Sequence, residues 1–244
     1  MQMGQSVVCI AVLMAAGSVL AQDAPRPQAP QWVREALAPV EDKAGLPRVL
    51  LIGDSISMGY TVPVRELLAE KANVHRPPMN CMSTDFGIEM LDAWLGESHW
   101  DVIHFNWGLH DLKYVDEAGA VVAVDKGKPL IPVEEYERNL DQLVQRLKKT
   151  NAKLIFATTT PVPDGSAGRV PGDEIRYNQA ALRVMKKHGV AVNDLHTLAA
   201  DKLSEIQLPH NVHFTPEGSR VLAKRVAEVI EKFLPPATER QHGS

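Results

Sequence analysis

Gly53-Asp54-Ser55 closes an apolar run, Val49-Leu50-Leu51-Ile52, and a helical pattern follows it. A serine in that place sits on a tight turn at the carboxyl end of a buried strand. There an open α/β sheet puts its ligands, and a hydroxyl can be both exposed and rigidly held. Far downstream, Asn211-Val212-His213-Phe214-Thr215 delivers a histidine just ahead of another amphipathic stretch. The two together suit nucleophilic chemistry. A serine hydroxyl is barely ionised at neutral pH, so a neutral imidazole must take its proton as it attacks an ester carbonyl. The same ring then protonates the departing alcohol. Each half alone has a plainer use, Asp54 and Ser55 as helix caps and His213 as a helix-entry residue. Their combination favours chemistry.

These residues need elements to carry them, and the chain alternates accordingly. Strands are expected at Arg48–Gly53, Asn73–Arg76, Asp101–Trp107, Lys153–Thr159 and Val190–Asp194. Helices are expected at Tyr60–Glu70, Phe86–Leu95, Val133–Thr150, Asp173–His188, Thr197–Ile206 and Pro216–Leu234. The last carries Val221, Leu222, Val226, Val229, Ile230 and Phe233 at near-helical spacing. Such alternation implies parallel βαβ units in one doubly wound α/β domain with a five-stranded sheet. Residues 113–132 read as an inserted hairpin and 161–172 as a long loop. Both leave carboxyl ends of strands, so both should border the site.

Gly53-Asp54-Ser55, Gly108-Leu109-His110-Asp111 and His213, in this order, resemble the SGNH/GDSL hydrolase superfamily, the likeness running from about residue 47 to 235. The resemblance implies a flavodoxin-like three-layer α/β/α sandwich and esterase or lipase activity without cofactor or metal. It makes Ser55 the nucleophile and His213 the catalytic histidine, ahead of Phe214-Thr215-Pro216-Glu217-Gly218. The family usually places Asp three residues before that histidine, but His210 stands there, followed by Asn211. A Ser-His dyad is therefore expected, with His213 oriented by a neutral group, either a backbone carbonyl or the Asn211 oxygen. Asp194 and Asp201 are the substitutes a carboxylate would need, though each suits a helix cap or surface better.

The resemblance also implies an oxyanion hole built from the Ser55 amide, a glycine amide and an asparagine side chain. His110 occupies the asparagine position, where a neutral ring N–H can donate as an amide does; otherwise it partners Asp111. The loop after the second strand has no glycine before Gly87, so Cys81 is the expected backbone donor, with the Asn80 side chain as the alternative. Cys81 as nucleophile is disfavoured, since nothing nearby in sequence lowers its pKa. Asp54 and Asp111 are expected to receive backbone N–H groups at helix starts and so support Ser55 and His110. Asn106 and Trp107 are candidate pocket residues, although a buried Trp is more often core. Arg76 and Arg169 are candidates for an acidic substrate group, or else surface charges.

The 244 residues carry a net charge of −4 and a pI near 6.1, which argues against nucleic acid or an anionic membrane as partner. Residues 7–16 are continuously apolar, and Val19-Leu20-Ala21 is an acceptable cleavage site. A signal peptide cut after about Ala21 is expected, and with it export to the periplasm or beyond. The span is too short for stable membrane insertion. Export would remove Cys9 and leave Cys81 alone, which excludes an intrachain disulfide. Residues 22–47 read as a Pro/Ala-rich linker with one short helix near Gln31–Leu37, and 236–244 as a disordered tail.

The leading expectation is an exported serine esterase acting on a small acylated substrate or an acylated carbohydrate, above all an acetyl ester of a glycan. A lipase is the alternative within the superfamily, with Val121, Val122, Ala123 and Val124 of the hairpin as a small apolar lid. A binding protein that kept only the fold is another. Metal-dependent phosphoester hydrolysis by Asp54, Asp111, His110 and His213 is the weakest, because no metal-ligand spacing is present.

Overall fold

The computed structural model describes residues 29–236. In chain order it contains α1 (Gln31–Leu37), β1 (Arg48–Ile52), α2 (Ser55–Leu67), β2 (Asn73–His75), α3 (Thr84–Leu95) and β3 (Val102–Phe105). A hairpin follows, with β4 (Tyr114–Val115), a 3-10 turn (Val124–Lys126) and β5 (Lys128–Pro129). Then come α4 (Val133–Lys148), β6 (Lys153–Ala157), α5 (Glu174–His188), β7 (Ala191–Asn193), α6 (Leu195–Ala200), α7 (Leu203–Ile206) and α8 (Pro216–Glu231).

Five strands form one wholly parallel sheet in the order β2-β1-β3-β6-β7. Helices α1, α2 and α8 cover one face and α3, α4 and α5 the other, as the three-layer expectation required. The central strands explain themselves. Val49–Ile52 and Val102–Phe105 are buried throughout, the mark of strands sandwiched between two helical layers. From β1 the chain steps to β2 on one side, then crosses back to β3 on the other. That reversal opens a crevice at the carboxyl ends of β1 and β3, where such sheets bind ligands. Ser55 and His110 follow those two ends.

Several boundaries moved. The helix expected from Tyr60 starts five residues earlier, at Ser55, because Asp54 caps it: its side chain accepts the Ile56 N–H at 2.9 Å. The helix expected over Thr197–Ile206 is two short helices, α6 and α7. Residues 31–47 are not a linker. Arg65 of α2 donates to the carbonyls of Glu35 and Ala38, and Asn73 clasps the backbone of Lys43 and Leu46. Asp42 meets both His75 and Arg48. The compact unit thus starts near Gln31, fastened by side chains that composition could not assign. The signal peptide expected over 1–21 lies outside the described residues, as does the tail beyond 236. Among the described residues no helix is long and apolar enough to cross a membrane.

Candidate active site

The turn after β1 is held from below. Gly53 leaves no room for a side chain, since a Cβ there would lie 2.9 Å from Ser57 Cβ. Arg76, just past β2, reaches under the turn. It donates to Ser57 Oγ (3.1 Å), Thr61 Oγ1 (2.9 Å) and the carbonyls of Gly53 (3.1 Å), Met79 (3.2 Å) and Pro77 (3.3 Å). It is buried rather than a surface charge, and burial works against its ionisation. Ser55 is the first residue of α2, so its amide has no carbonyl behind it in the helix and lies at the positive end of the helix dipole.

His213 arrives on a short, braced segment. Its carbonyl accepts the Leu208 N–H at 2.9 Å, and the Gln207 side chain bonds the carbonyls of Pro161 and Val212. Thr215 then caps α8 by accepting the Gly218 N–H at 2.9 Å. This places His213 Nε2 2.9 Å from Ser55 Oγ. On the other side of the ring, Nδ1 lies 2.7 Å from Asn211 Oδ1, which also accepts the His213 backbone N–H at 3.0 Å. A backbone N–H can bond only the amide oxygen, so the Asn211 orientation is fixed. His213 Nδ1 must then carry the proton, and Nε2 offers its lone pair to the serine hydroxyl. Burial lowers the His213 pKa below the usual 6.5; the Asp54 charge opposes this and Arg169 adds to it. The ring is neutral at neutral pH.

His110 lies half-buried after β3. The turn before it requires Gly108, where a Cβ would fall 2.1 Å from Thr159 Oγ1. Lys113 Nζ sits 3.3 Å from His110 Nδ1. An ammonium only donates, so Nδ1 accepts and the ring proton is on Nε2. Burial drives the His110 pKa down to about 4; Asp54 opposes this, while Lys113, Arg169 and His213 reinforce it. A neutral ring with a free Nε2–H is what an oxyanion donor needs. Asp111 caps a helix as expected, but the distant α3: its Oδ1 accepts the Thr84 N–H (2.9 Å) and hydroxyl (2.5 Å). Burial raises its pKa to about 7.

The structure corrects other expectations. The Cys81 N–H is engaged with the Gly53 carbonyl at 3.2 Å, which takes it out of the oxyanion set. Its thiol is buried and pushed up to about 11. Asn80 accepts the Met82 N–H on Oδ1 at 2.9 Å and keeps its Nδ2 donors available. Trp107 is a fully buried core residue, donating to the Cys81 carbonyl. Asn106 does line a small internal pocket, with Ile56, Ser57 and Thr158, and also ties β3 to β6 by donating to the Ala157 carbonyl at 2.8 Å. Asp194 caps α6, Asp201 is exposed, and neither approaches His213 as a triad acid. His210, in the acid's usual place, bonds the Asp164 carbonyl through Nδ1 at 2.8 Å and pins the 161–172 loop. Asp54, Asp111, His110 and His213 do not converge as a ligand set; among the described residues no group of three or more such side chains could hold a metal ion. The bracing role of Arg76 carried no local signal, for its acceptors lie up to 23 residues away.

A hydroxyl 2.9 Å from an imidazole of fixed tautomer, beside a helix amide and a neutral N–H, can add to a carbonyl and stabilise the resulting oxyanion. The model of the GDSL-like Lipase/Acylhydrolase family matches residues 51–221. A GDSL esterase/lipase of Arabidopsis thaliana is 31% identical over 127 residues, which cover 43% of this chain and 52% of that protein, so the match spans about half of the relative. The isoamyl acetate-hydrolyzing esterase 1 homolog of Homo sapiens is 26% identical over 211 residues, 76% of this chain and 82% of that one. An acetylxylan esterase from Geobacillus stearothermophilus has a similar fold, with TM-score 0.62 and 17% identity over 75% of this chain and 94% of its own. With the family model spanning most of the chain and the sheet, turn and histidine in its order, the protein belongs to the GDSL-like lipase/acylhydrolase family of SGNH hydrolases and is a serine ester hydrolase.

Proposed function

We propose that the protein is an exported esterase that removes small acyl groups, acetyl above all, from a polar substrate such as a glycan. Ser55 is the nucleophile and His213 the general base and acid. The observation that carries this is the 2.9 Å contact between Ser55 Oγ and His213 Nε2, with Nδ1 held by Asn211. Oγ attacks the ester carbonyl while its proton passes to Nε2. The oxyanion is received by the Ser55 N–H, His110 Nε2–H and Asn80 Nδ2. The ester C–O bond then breaks, Nε2–H protonates the leaving alcohol, and an acyl-Ser55 remains. Water repeats the sequence, with Nε2 taking its proton and returning it to Ser55 as the acid leaves.

Two clefts, of about 420 and 240 Å³, lie between α4 and α5 and at the amino edge of β6 and β7; neither is lined by Ser55 or His213, so neither offers the acyl group a chamber. Val121 and Val124 of the hairpin are solvent-exposed. Acetate esters also figure in the names of the human relative and the Geobacillus enzyme. Export rests on residues 7–21 alone; N-terminal sequencing of protein recovered outside the cytoplasm should begin near Gln22.

The experiment is a chain-length series of nitrophenyl esters with wild type and Ser55→Ala, together with intact-mass detection of a fluorophosphonate adduct. Wild type should prefer acetate and take the adduct on the Ser55 peptide. S55A should lose activity by about 10⁶-fold. Rates rising toward octanoate would replace the acetyl assignment with a lipase; equal rates in the mutant would end the Ser55 mechanism.

A further inference from the structure

Two cations stand beside His110 with no ion pair among the described residues. Lys113 Nζ contacts His110 Nδ1 at 3.3 Å and forms no ion pair among the described residues. Arg169 donates from Nε to the Leu109 carbonyl and from Nη1 to the Ala167 carbonyl, each at 3.1 Å, so it grips the backbone immediately before His110. Its Nη2 has no partner among the described residues. Lys113 roots the hairpin and Arg169 belongs to the 161–172 loop, and the Tyr114 N–H donates to the Gly168 carbonyl at 2.6 Å, joining the two segments. The two charges therefore sit on one wall of the site.

Their state is costly to the fold. Burial works against both charges, and Arg169 further disfavours that of Lys113; Asp111 and Asp85 favour the Lys113 charge and Asp54 that of Arg169, without meeting either in an ion pair. The acids nearby are committed elsewhere: Asp54 caps α2, Asp111 caps α3, and Asp85 accepts the Ser83 hydroxyl and the Phe86 N–H. Elsewhere Arg48, Arg146 and Arg183 meet Asp42, Asp92 and Glu137, while Arg65 and Arg76 spend every guanidinium nitrogen on backbone carbonyls or hydroxyls; Arg169 keeps Nη2 in reserve. Partly desolvated like charges with donors to spare, next to reacting groups, suit an anionic ligand.

We propose that Lys113 and Arg169 form an anion subsite for a carboxylate on the alcohol portion of the substrate, as in an O-acetylated sugar acid. This rests on the esterase reading above and narrows its substrate class. The free guanidinium edge matches the plane of a carboxylate, and the ammonium supplies a second, mobile donor.

The test measures acetate release from O-acetylated glucuronic acid and from glucose acetylated at the same position, using wild type, Lys113→Met and Arg169→Gln. Glucuronate, glucose and inorganic phosphate are also titrated by calorimetry, a readout independent of turnover. Wild type should favour the acid by about tenfold in kcat/KM, mainly through KM. That preference should fall toward unity in both variants and in high salt, and glucuronate binding should fall with it. Because preference is a ratio within each variant, any disturbance of His110 divides out. Acetate released equally well from both sugars by wild type would overturn the subsite and leave the esterase standing. No acetate from either sugar, with glucuronate binding still lost in R169Q, would overturn the acetyl-esterase reading and keep the subsite. An equal fall on both sugars in the variants would assign the cations to the oxyanion and overturn the proposal. Phosphate bound more tightly than glucuronate would overturn the carboxylate assignment.

Discussion

Asn211 lets a neutral amide do the orienting that a carboxylate does elsewhere, and that choice has a measurable cost in pH dependence. An amide aligns the ring but does not stabilise its charged form, so an imidazolium formed in the proposed attack would lack an ion-pair partner. The acid limb of kcat/KM in wild type should therefore lie below pH 6.5, following the direction of the His213 shift. Asn211→Asp places a negative charge against Nδ1 and should move that limb upward by about one unit or more in a pH–rate profile. An unmoved limb would mean that Asn211 does not act through the ring. Ser55, His213 and Asn211 were legible because each carries a local signal: a strand end, a helix entry, a position two residues from the histidine. The donors proposed for the oxyanion were only half legible. Whether the Cys81 N–H faces a substrate or the Gly53 carbonyl depends on how the loop after β2 docks on β1, which no neighbouring residue encodes.

Among the elements, the strands were the easiest to read, since β1 and β3 are continuous apolar runs bounded by turn residues. The first turn of α2 was not. Ser55-Ile56-Ser57-Met58-Gly59 holds weak helix formers, and the helix starts there because Asp54 caps it from before and Arg76 braces it from below. Replacing Arg76 by Met would leave the Met79 and Pro77 carbonyls without their buried donor and Gly53 with the Cys81 N–H alone. We expect a loss of about 3 kcal/mol or more in chemical denaturation, and a fall in kcat for the folded fraction at unchanged KM. Arg76→Lys, with one nitrogen in place of a fork, should recover only part of it. Wild-type stability in R76M would reduce this clamp to decoration.

For the molecule as a whole, the alternation of strands and helices was enough to fix the architecture, but not the reach of its outer parts. The segment before β1 reads as linker by composition, yet Arg65, Asn73 and Asp42 bind it down. A buried histidine also shapes global stability. His104 lies in the middle of β3, wholly enclosed, with its pKa driven down to about 3 by burial. Unfolded, it takes a proton near its usual 6.5, so between those values the unfolded chain holds more protons. Stability should fall as pH drops through 6.5 toward 3. Denaturation at pH 7 and pH 4.5 should show a shallower decline in His104→Leu than in wild type, whatever that variant's absolute stability; identical slopes would refute it. The working parts, finally, differ in how they are tethered. His213 and Asn211 are two residues apart on a single bend, whereas Ser55 is 158 residues from its base. Range therefore rests on how α2, which starts at Ser55, packs along α8, and heading on one bend, so a change in that packing would spoil the distance while the imidazole keeps its direction.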